Sequence, residues 1–270
     1  MLLLRNYNGV FMSKVGKLHV IYDDPLFFAG YSQLPRFRAD WGYAMEHSAF
    51  INLVGSVQGR RVLDLGCGAG QLSLYLATAG AAKVISIDAS ERMLNVARTQ
   101  RMHPCITYQL TSMSDYDYPS EDFDVVVSSL AFHYVRDYTN LMRNIARCLV
   151  PNGLLVFSTE HPIYSARNST DGWVTGADGS RIGWALDHYA EEGPRDHHWF
   201  VDGVRRYHRT VATLVNGPID AGFTVERVLE PAPSDEWLHD HPGDMDERRR
   251  PMFLLVRARR SSHSANTSRP

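Results

Sequence analysis

The sequence Asp64-Leu65-Gly66-Cys67-Gly68-Ala69-Gly70 alternates small residues behind a carboxylate. Glycine at those positions lets the backbone turn through positive φ and leaves room for a ligand to touch main-chain atoms. A second carboxylate, Asp88, closes the apolar run Val84-Ile85-Ser86-Ile87. An acid about 20 residues past a glycine turn can accept both hydroxyls of a ribose. Two histidines, His133 and His161, each follow a further apolar run. An imidazole titrates near neutral pH and can take a proton from a hydroxyl or a ring nitrogen. Together these residues describe a nucleoside seat with two candidate bases beside it.

The elements that must position them follow from local pattern. Val62 to Leu65 reads as a buried strand and Gln71 to Ala79 as a helix whose free N–H groups face the turn. Ser90 caps a helix in which Met93, Leu94 and Ala97 recur at helical spacing. Ile106 to Leu110 is a third strand and Phe123 to Ser129 a fourth, β-branched and central. Asp137 to Val150 reads as a helix with Leu141, Met142, Ile145 and Leu149 on one face. Leu149-Val150-Pro151-Asn152-Gly153 stops it before a fifth strand, Leu154 to Ser158. The expected fold is α/β: a doubly wound, mostly parallel, Rossmann-like sheet with an antiparallel last strand. In such a sheet the ends of the fourth and fifth strands are neighbours, so His133 and His161 face one pocket. The plain alternatives are a packing role for His133 and anchoring of the Pro162 turn for His161.

The glycine spacing departs from G-x-G-x-x-G, because Gln71 stands where a dinucleotide loop wants its last glycine. A nicotinamide dehydrogenase is disfavoured on that ground. D-x-G-x-G-x-G instead resembles motif I of the class I S-adenosylmethionine-dependent methyltransferases. Residues 20–260 are similar to the small-molecule, ubiquinone/menaquinone-biosynthesis-like branch. The segments carrying that likeness are Tyr22-Asp23-Asp24-Pro25, Ser128-Ser129-Leu130-Ala131, His133-Tyr134, Glu160-His161-Pro162-Ile163, Tyr207-His208-Arg209-Thr210 and Arg250-Pro251-Met252-Phe253. The resemblance implies S-adenosyl-L-methionine as cofactor, a seven-stranded sheet and a methyl transfer by in-line displacement. It implies that Asp64, Gly66, Cys67, Gly68 and Gly70 hold the methionine end, with Asp88 and Ala89 at the ribose. Met93, Ser112 and Met113 then face the adenine, and Ser129 completes the seat. Many members carry Asp where Ser112 stands; a hydroxyl can still bond the amino group, without charge.

The ends of the chain read differently. Asp24 and Pro25 start a helix bearing Phe27, Phe28 and Tyr31. Tyr22, Phe28 and Tyr31 are expected to fold over the site as a lid. Trp41 to Val57 reads as an amphipathic helix, and residues 1–57 as an N-terminal lid segment. The methyltransferase domain is expected at 58–260. From 160 to 210 the periodicity lapses while aromatics accumulate, which argues for an inserted cap and against disorder. Tyr22, Tyr31, Tyr134, Tyr164 and Trp199 are the candidate substrate-binding residues. Val211 to Ala221 resumes a helix, with Gly217-Pro218 inside it. Phe223 to Leu229 and Pro251 to Arg257 are the last strands, joined by a polar connection. Residues 261–270 read as a disordered tail. Met12 offers an alternative start.

Composition narrows the partners. The net charge of −2 gives no global pull toward nucleic acid or anionic membrane. No apolar run is long enough to span a bilayer. Cys67, Cys105 and Cys148 lack paired spacing, which suits a reducing cytoplasm. His188, His197, His198 and His208 match no metal pattern. Glu160 is expected to pair with an arginine of the insertion or with a cationic substrate. Arg205, Arg206 and Arg209 could meet an acidic one. The expected protein is a monomer or homodimer acting on a small molecule. The competing readings are an RNA or protein methyltransferase and a non-catalytic cofactor-binding regulator.

Overall fold

A computed structural model describes residues 20–42, 44–167 and 172–262. The alternative start at Met12 and nearly all of the expected tail lie outside them. The described chain opens with a 3₁₀ turn, Ile21–Asp23, and helices α1 (Pro25–Tyr31), α2 (Pro35–Arg38) and α3 (His47–Val54). Strands and helices then alternate: β1 (Arg61–Leu65), α4 (Gln71–Thr78), β2 (Lys83–Asp88), α5 (Glu91–Gln100), β3 (Ile106–Leu110), β4 (Phe123–Ser129), α6 (Tyr138–Cys148) and β5 (Leu149–Glu160). After β5 come α7 (Pro162–Ser165), the hairpin β6 (Trp173–Thr175) and β7 (Arg181–Trp184), and the hairpin β8 (Gly193–Trp199) and β9 (Val201–His208). The chain closes with α8 (Val211–Asp220), β10 (Phe223–Leu229), α9 (Asp235–Asp240), a 3₁₀ stretch Pro242–Arg249, and β11 (Phe253–Arg260).

Seven strands form one sheet in the order β10-β11-β5-β4-β1-β2-β3. β11 runs antiparallel to both β5 and β10, and the other pairs are parallel. Successive residues of β4 feed opposite faces: Val125 and Val127 pack with Phe50, Leu72 and Leu76, while Val126 packs with Phe132, Met142 and Ile145. That period of two, on both sides of a covered sheet, is why its strands are apolar throughout.

Two departures from the sequence reading, and one helix that keeps its expected internal proline, have physical causes. The helix expected from Trp41 shrinks to α3, because the His47 ring accepts N–H bonds from Gly42 and Ala44 and stacks on Trp41 at 3.8 Å. Residues 41–42 and 44–46 therefore lie outside the helix, and Gly55 at φ +69° ends it. The Pro151-Asn152-Gly153 stop lies within β5 as a bulge: Phe123 faces Leu149, yet Val125 faces Leu154. The helix before it accordingly ends at Cys148. Finally, Pro218 sits inside α8 without breaking it. Proline has no N–H for the Leu214 carbonyl four residues back. That oxygen accepts the Tyr138 hydroxyl at 2.9 Å instead. Gly217 makes the approach possible, since a Cβ there would stand 2.5 Å from the Tyr138 ring.

Candidate active site

The carboxyl ends of β1, β2, β4 and β5 open onto a cavity of about 1000 Å³, roofed by the N-terminal helices and the two hairpins. Its size stands at the top of the range for small-ligand sites, roughly 300–1,000 Å³. One end is the glycine turn. Gly66, Gly68 and Gly70 all take positive φ, at +74°, +54° and +86°. The Gly66 and Cys67 amides both donate to the Ile87 carbonyl, which locks the turn to β2. A Cβ on Gly66 would meet that of Ala131 at 2.5 Å, so the post-β4 segment can press against the turn only because Gly66 is bare.

Gly68 lines the cavity, and a Cβ added there would project into open space. Its amide donates to Asp88 Oδ2 at 2.8 Å, while Ser90 donates to Oδ1 at 2.8 Å. Each Asp88 oxygen keeps a lone pair for a ribose hydroxyl. Burial pushes the Asp88 carboxyl up, and the two backbone N–H bonds pull it back. Asp64 is more deeply placed. Its Oδ2 accepts the Ser73 hydroxyl at 2.6 Å, and burial raises its carboxyl to about 7. An open cradle beside a carboxylate with two spare lone pairs fits an adenosine bearing an amino-acid arm.

Most residues singled out in the sequence line this cavity: Asp64, Gly66, Cys67, Gly68, Asp88, Ala89, Met93, Ser112, Met113 and Ser129 at the nucleoside end, with Tyr22, Tyr31, His133, Tyr134, Tyr164 and Trp199 beyond. Three do not behave as expected. Gly70 lies off the wall; its missing side chain admits the Tyr108 hydroxyl, 2.6 Å from where a Cβ would be. Phe28 turns outward to Phe37 and Arg92, and its neighbour Phe27 is the buried member of the lid. His161 does not line the cavity. Its Nδ1 accepts from the Ile163 amide at 3.1 Å and its Nε2 donates to Glu230 at 2.8 Å. With both nitrogens committed, His161 caps α7 and is an anchor, not a base.

His133 remains. It is buried, with Nδ1 3.5 Å from the Thr159 hydroxyl. Burial first, then Arg206 and Arg209, hold its pKa far below that of a free imidazole, so the ring is neutral. Ser112 spends its hydroxyl proton on Asp115 at 2.6 Å and can offer an adenine only an acceptor. Glu160 pairs with Arg206 at 2.6 Å, the expected partner from the insertion. Arg209 instead ties β9 to the post-β4 segment through the carbonyls of Val135 and Arg136.

Several wall residues were not among the site residues expected from the sequence. Arg36, Trp41, His47 and Gln71 stand at the glycine end. Gln71 Nε2 donates to the carbonyls of Arg36 and Phe37, strapping the N-terminal segment to α4. Arg250 also lines the cavity. In the sequence it was marked only by the Arg250-Pro251-Met252-Phe253 likeness.

Comparison with known proteins decides the family. A methyltransferase-domain model matches residues 63–157. A crystal structure of an S-adenosylmethionine-dependent methyltransferase from Mesorhizobium loti is 42% identical, with a TM-score of 0.76 over 81% of this chain and 99% of that one. The chain belongs to the class I S-adenosylmethionine-dependent methyltransferases. An uncharacterised Haemophilus influenzae protein is 36% identical over 250 residues, 89% of this methyltransferase and 96% of that protein. A ubiquinone biosynthesis O-methyltransferase from Bradyrhizobium diazoefficiens is 39% identical over 111 residues, covering 40% of this chain and 42% of its own length. The methyltransferase uses S-adenosyl-L-methionine as cofactor. Among the described residues no helix is long and apolar enough to cross a membrane.

Proposed function

We propose that this methyltransferase modifies a small molecule held in the aromatic half of the cavity. The observation that carries the reading is the continuity of one cavity from Gly68 and Asp88 to Tyr134, Tyr164 and Trp199. Bound S-adenosyl-L-methionine supplies an electrophilic methyl group. The glycine turn and Asp64 position its methionine end, Asp88 and Ala89 the ribose, and Met93, Ser112 and Met113 the adenine. What the chain adds is alignment and exclusion of water, which an in-line displacement needs more than acid–base help.

The lid and cap supply the exclusion. Tyr22 and Tyr31 contact each other edge to face at 5.0 Å, and Tyr31 meets Trp199 at 5.6 Å. The N-terminal segment, expected at 1–57, thus acts as the lid, and the insertion expected at 160–210 as the cap. His133 is neutral and can accept a proton, but its positive surroundings make it a weak base. That suits an acceptor whose proton leaves readily. A concave, aromatic-lined cavity of this size favours a small acceptor over RNA or a protein surface. The three cysteines are free, which suits a reducing compartment.

The test is a titration of S-adenosylhomocysteine into the protein, followed by a screen of small acceptors with methyl-labelled cofactor. Binding with transfer to a small acceptor supports the reading. Binding with transfer only to RNA or protein overturns the acceptor class.

A further inference from the structure

Beyond the nucleoside end, the cavity wall carries two buried ion pairs with polar atoms left over. In the first, Glu160 Oε1 accepts Arg206 Nη1 at 2.6 Å. Arg206 is 3% exposed and lies 5.0 Å over the Trp199 ring. Arg206 Nε and Glu160 Oε2 have no hydrogen-bond partner among the described residues. In the second, Arg250 Nη2 meets Glu247 at 3.1 Å. Arg250 is 7% exposed, and its guanidinium stacks on Trp184 at 4.1 Å and lies near Tyr164 at 5.1 Å. Its Nε and Nη1 likewise find no acceptor among the described residues.

Buried N–H groups are costly to leave unpaired, and a guanidinium most of all. Both arginines line the cavity. Both pairs also act on Tyr164, whose phenol is pushed up by burial and by Glu160 and pulled down by Arg206 and Arg250. The two sets of spare donors therefore serve one region of the wall. Four arginines line it, and Arg181 and Arg205 are taken up by Asp246 and Asp196 as Arg206 and Arg250 are by Glu160 and Glu247; what distinguishes the latter two is their spare N–H groups. Each of those carboxylates already shares its charge with an arginine.

We propose that the methyl acceptor is a small, largely apolar molecule bearing a carboxylate, which takes the spare N–H groups of Arg250 and Arg206. A hydroxyl or N–H beside that acid would meet Glu160 Oε2, and the apolar body would lie among the cap's aromatic side chains. This rests on the small-molecule reading above and narrows it. A bidentate or charge-assisted contact to arginine discriminates acid from amide, since the amide offers one neutral acceptor.

The experiment uses the full chain saturated with S-adenosylhomocysteine. It is titrated with matched sets of aromatic carboxylic acids, their primary amides and their aminomethyl counterparts, 4-hydroxybenzoate, 4-hydroxybenzamide and 4-hydroxybenzylamine among them. The expected result is that binders come from the acids, each about ten-fold or more tighter than its amide. Arg250→Gln should erase that preference and Arg250→Lys retain part of it, with affinity for S-adenosylhomocysteine unchanged in both as the check on folding. Amides or amines binding as well as the acids, or no acid binding to the loaded protein, overturns the proposal. Failure of S-adenosylhomocysteine itself to bind wild-type protein is a separate result, and it removes the underlying reading of the site.

Discussion

The hydroxyls of Tyr22 and Tyr134 meet at 3.1 Å across 112 residues of sequence. Tyr22 belongs to the lid, and Tyr134 follows β4 beside His133. The bond therefore latches the roof of the cavity to its floor. Nearby, Asp23 accepts from the Ser90 hydroxyl at 2.6 Å and from the Arg92 amide at 3.1 Å. The lid is thus fastened to the start of α5, the helix that follows Asp88.

Removing the latch hydroxyl should loosen the lid without unfolding the sheet. A hydrogen bond of this kind contributes about 1 kcal/mol, so Tyr22→Phe should weaken S-adenosylhomocysteine binding about five-fold. Hydrogen exchange of residues 21–31 should quicken in parallel. Unchanged affinity and unchanged exchange would mean the two hydroxyls merely touch.

Lid docking also depends on a bare backbone. A Cβ on Gly30 would stand 2.4 Å from the Phe200 ring at the tip of the β8–β9 hairpin. Gly30→Val should cost about 1–3 kcal/mol of overpacking, expressed as lid opening and a raised KM for the cofactor. A variant with wild-type KM and melting temperature would show that the hairpin tip yields freely.

Asp64 should leave a signature in the pH dependence of stability. Its carboxyl is raised by burial to about 7 in the folded protein. A raised carboxyl gives its full share of stability below about pH 4, the unfolded value, and loses it as pH climbs through 7. Relative to Asp64→Asn, wild-type protein should lose up to about 4 kcal/mol between pH 4 and pH 8. Urea melts of both proteins across that range check it; parallel curves would contradict a protonated Asp64.

The proline in α8 allows a test of its compensation. Tyr138→Phe leaves the Leu214 carbonyl buried without a donor and should cost about 1–3 kcal/mol. Pro218→Ala restores an N–H to the helix ladder. In that background Tyr138→Phe should cost measurably less. Equal costs in the two backgrounds would show that the hydroxyl does not stand in for the missing N–H.

The sheet and the nucleoside seat were legible because their signals are local. A β-branched run, three glycines and a terminal acid report on neighbours a few residues away, so β1 to β4 and Asp88 lie where the pattern puts them. What was not legible depends on distant partners. The helix starts only at His47 because the His47 ring satisfies the amides of Gly42 and Ala44 ahead of it. Phe27 and Phe28 are adjacent and equally apolar, and only packing against Trp199 and Phe200 decides that Phe27 goes inside. His161 follows β5 as His133 follows the neighbouring β4, yet Glu230, a residue 69 positions away, claims it. Arg36 and Arg250 reach the cavity from opposite ends of the chain, and no local pattern announces such a meeting.

The central claim is that Asp88 and the glycine turn grip the nucleoside while the sulfur faces the aromatic half of the cavity. The most direct measurement is a crystal structure with S-adenosylhomocysteine bound. The account predicts both ribose hydroxyls within hydrogen-bonding distance of the Asp88 carboxylate and the sulfur on the side of His133 and Tyr134. A nucleoside bound elsewhere, or an Asp88 carboxylate turned away from the sugar, would contradict it.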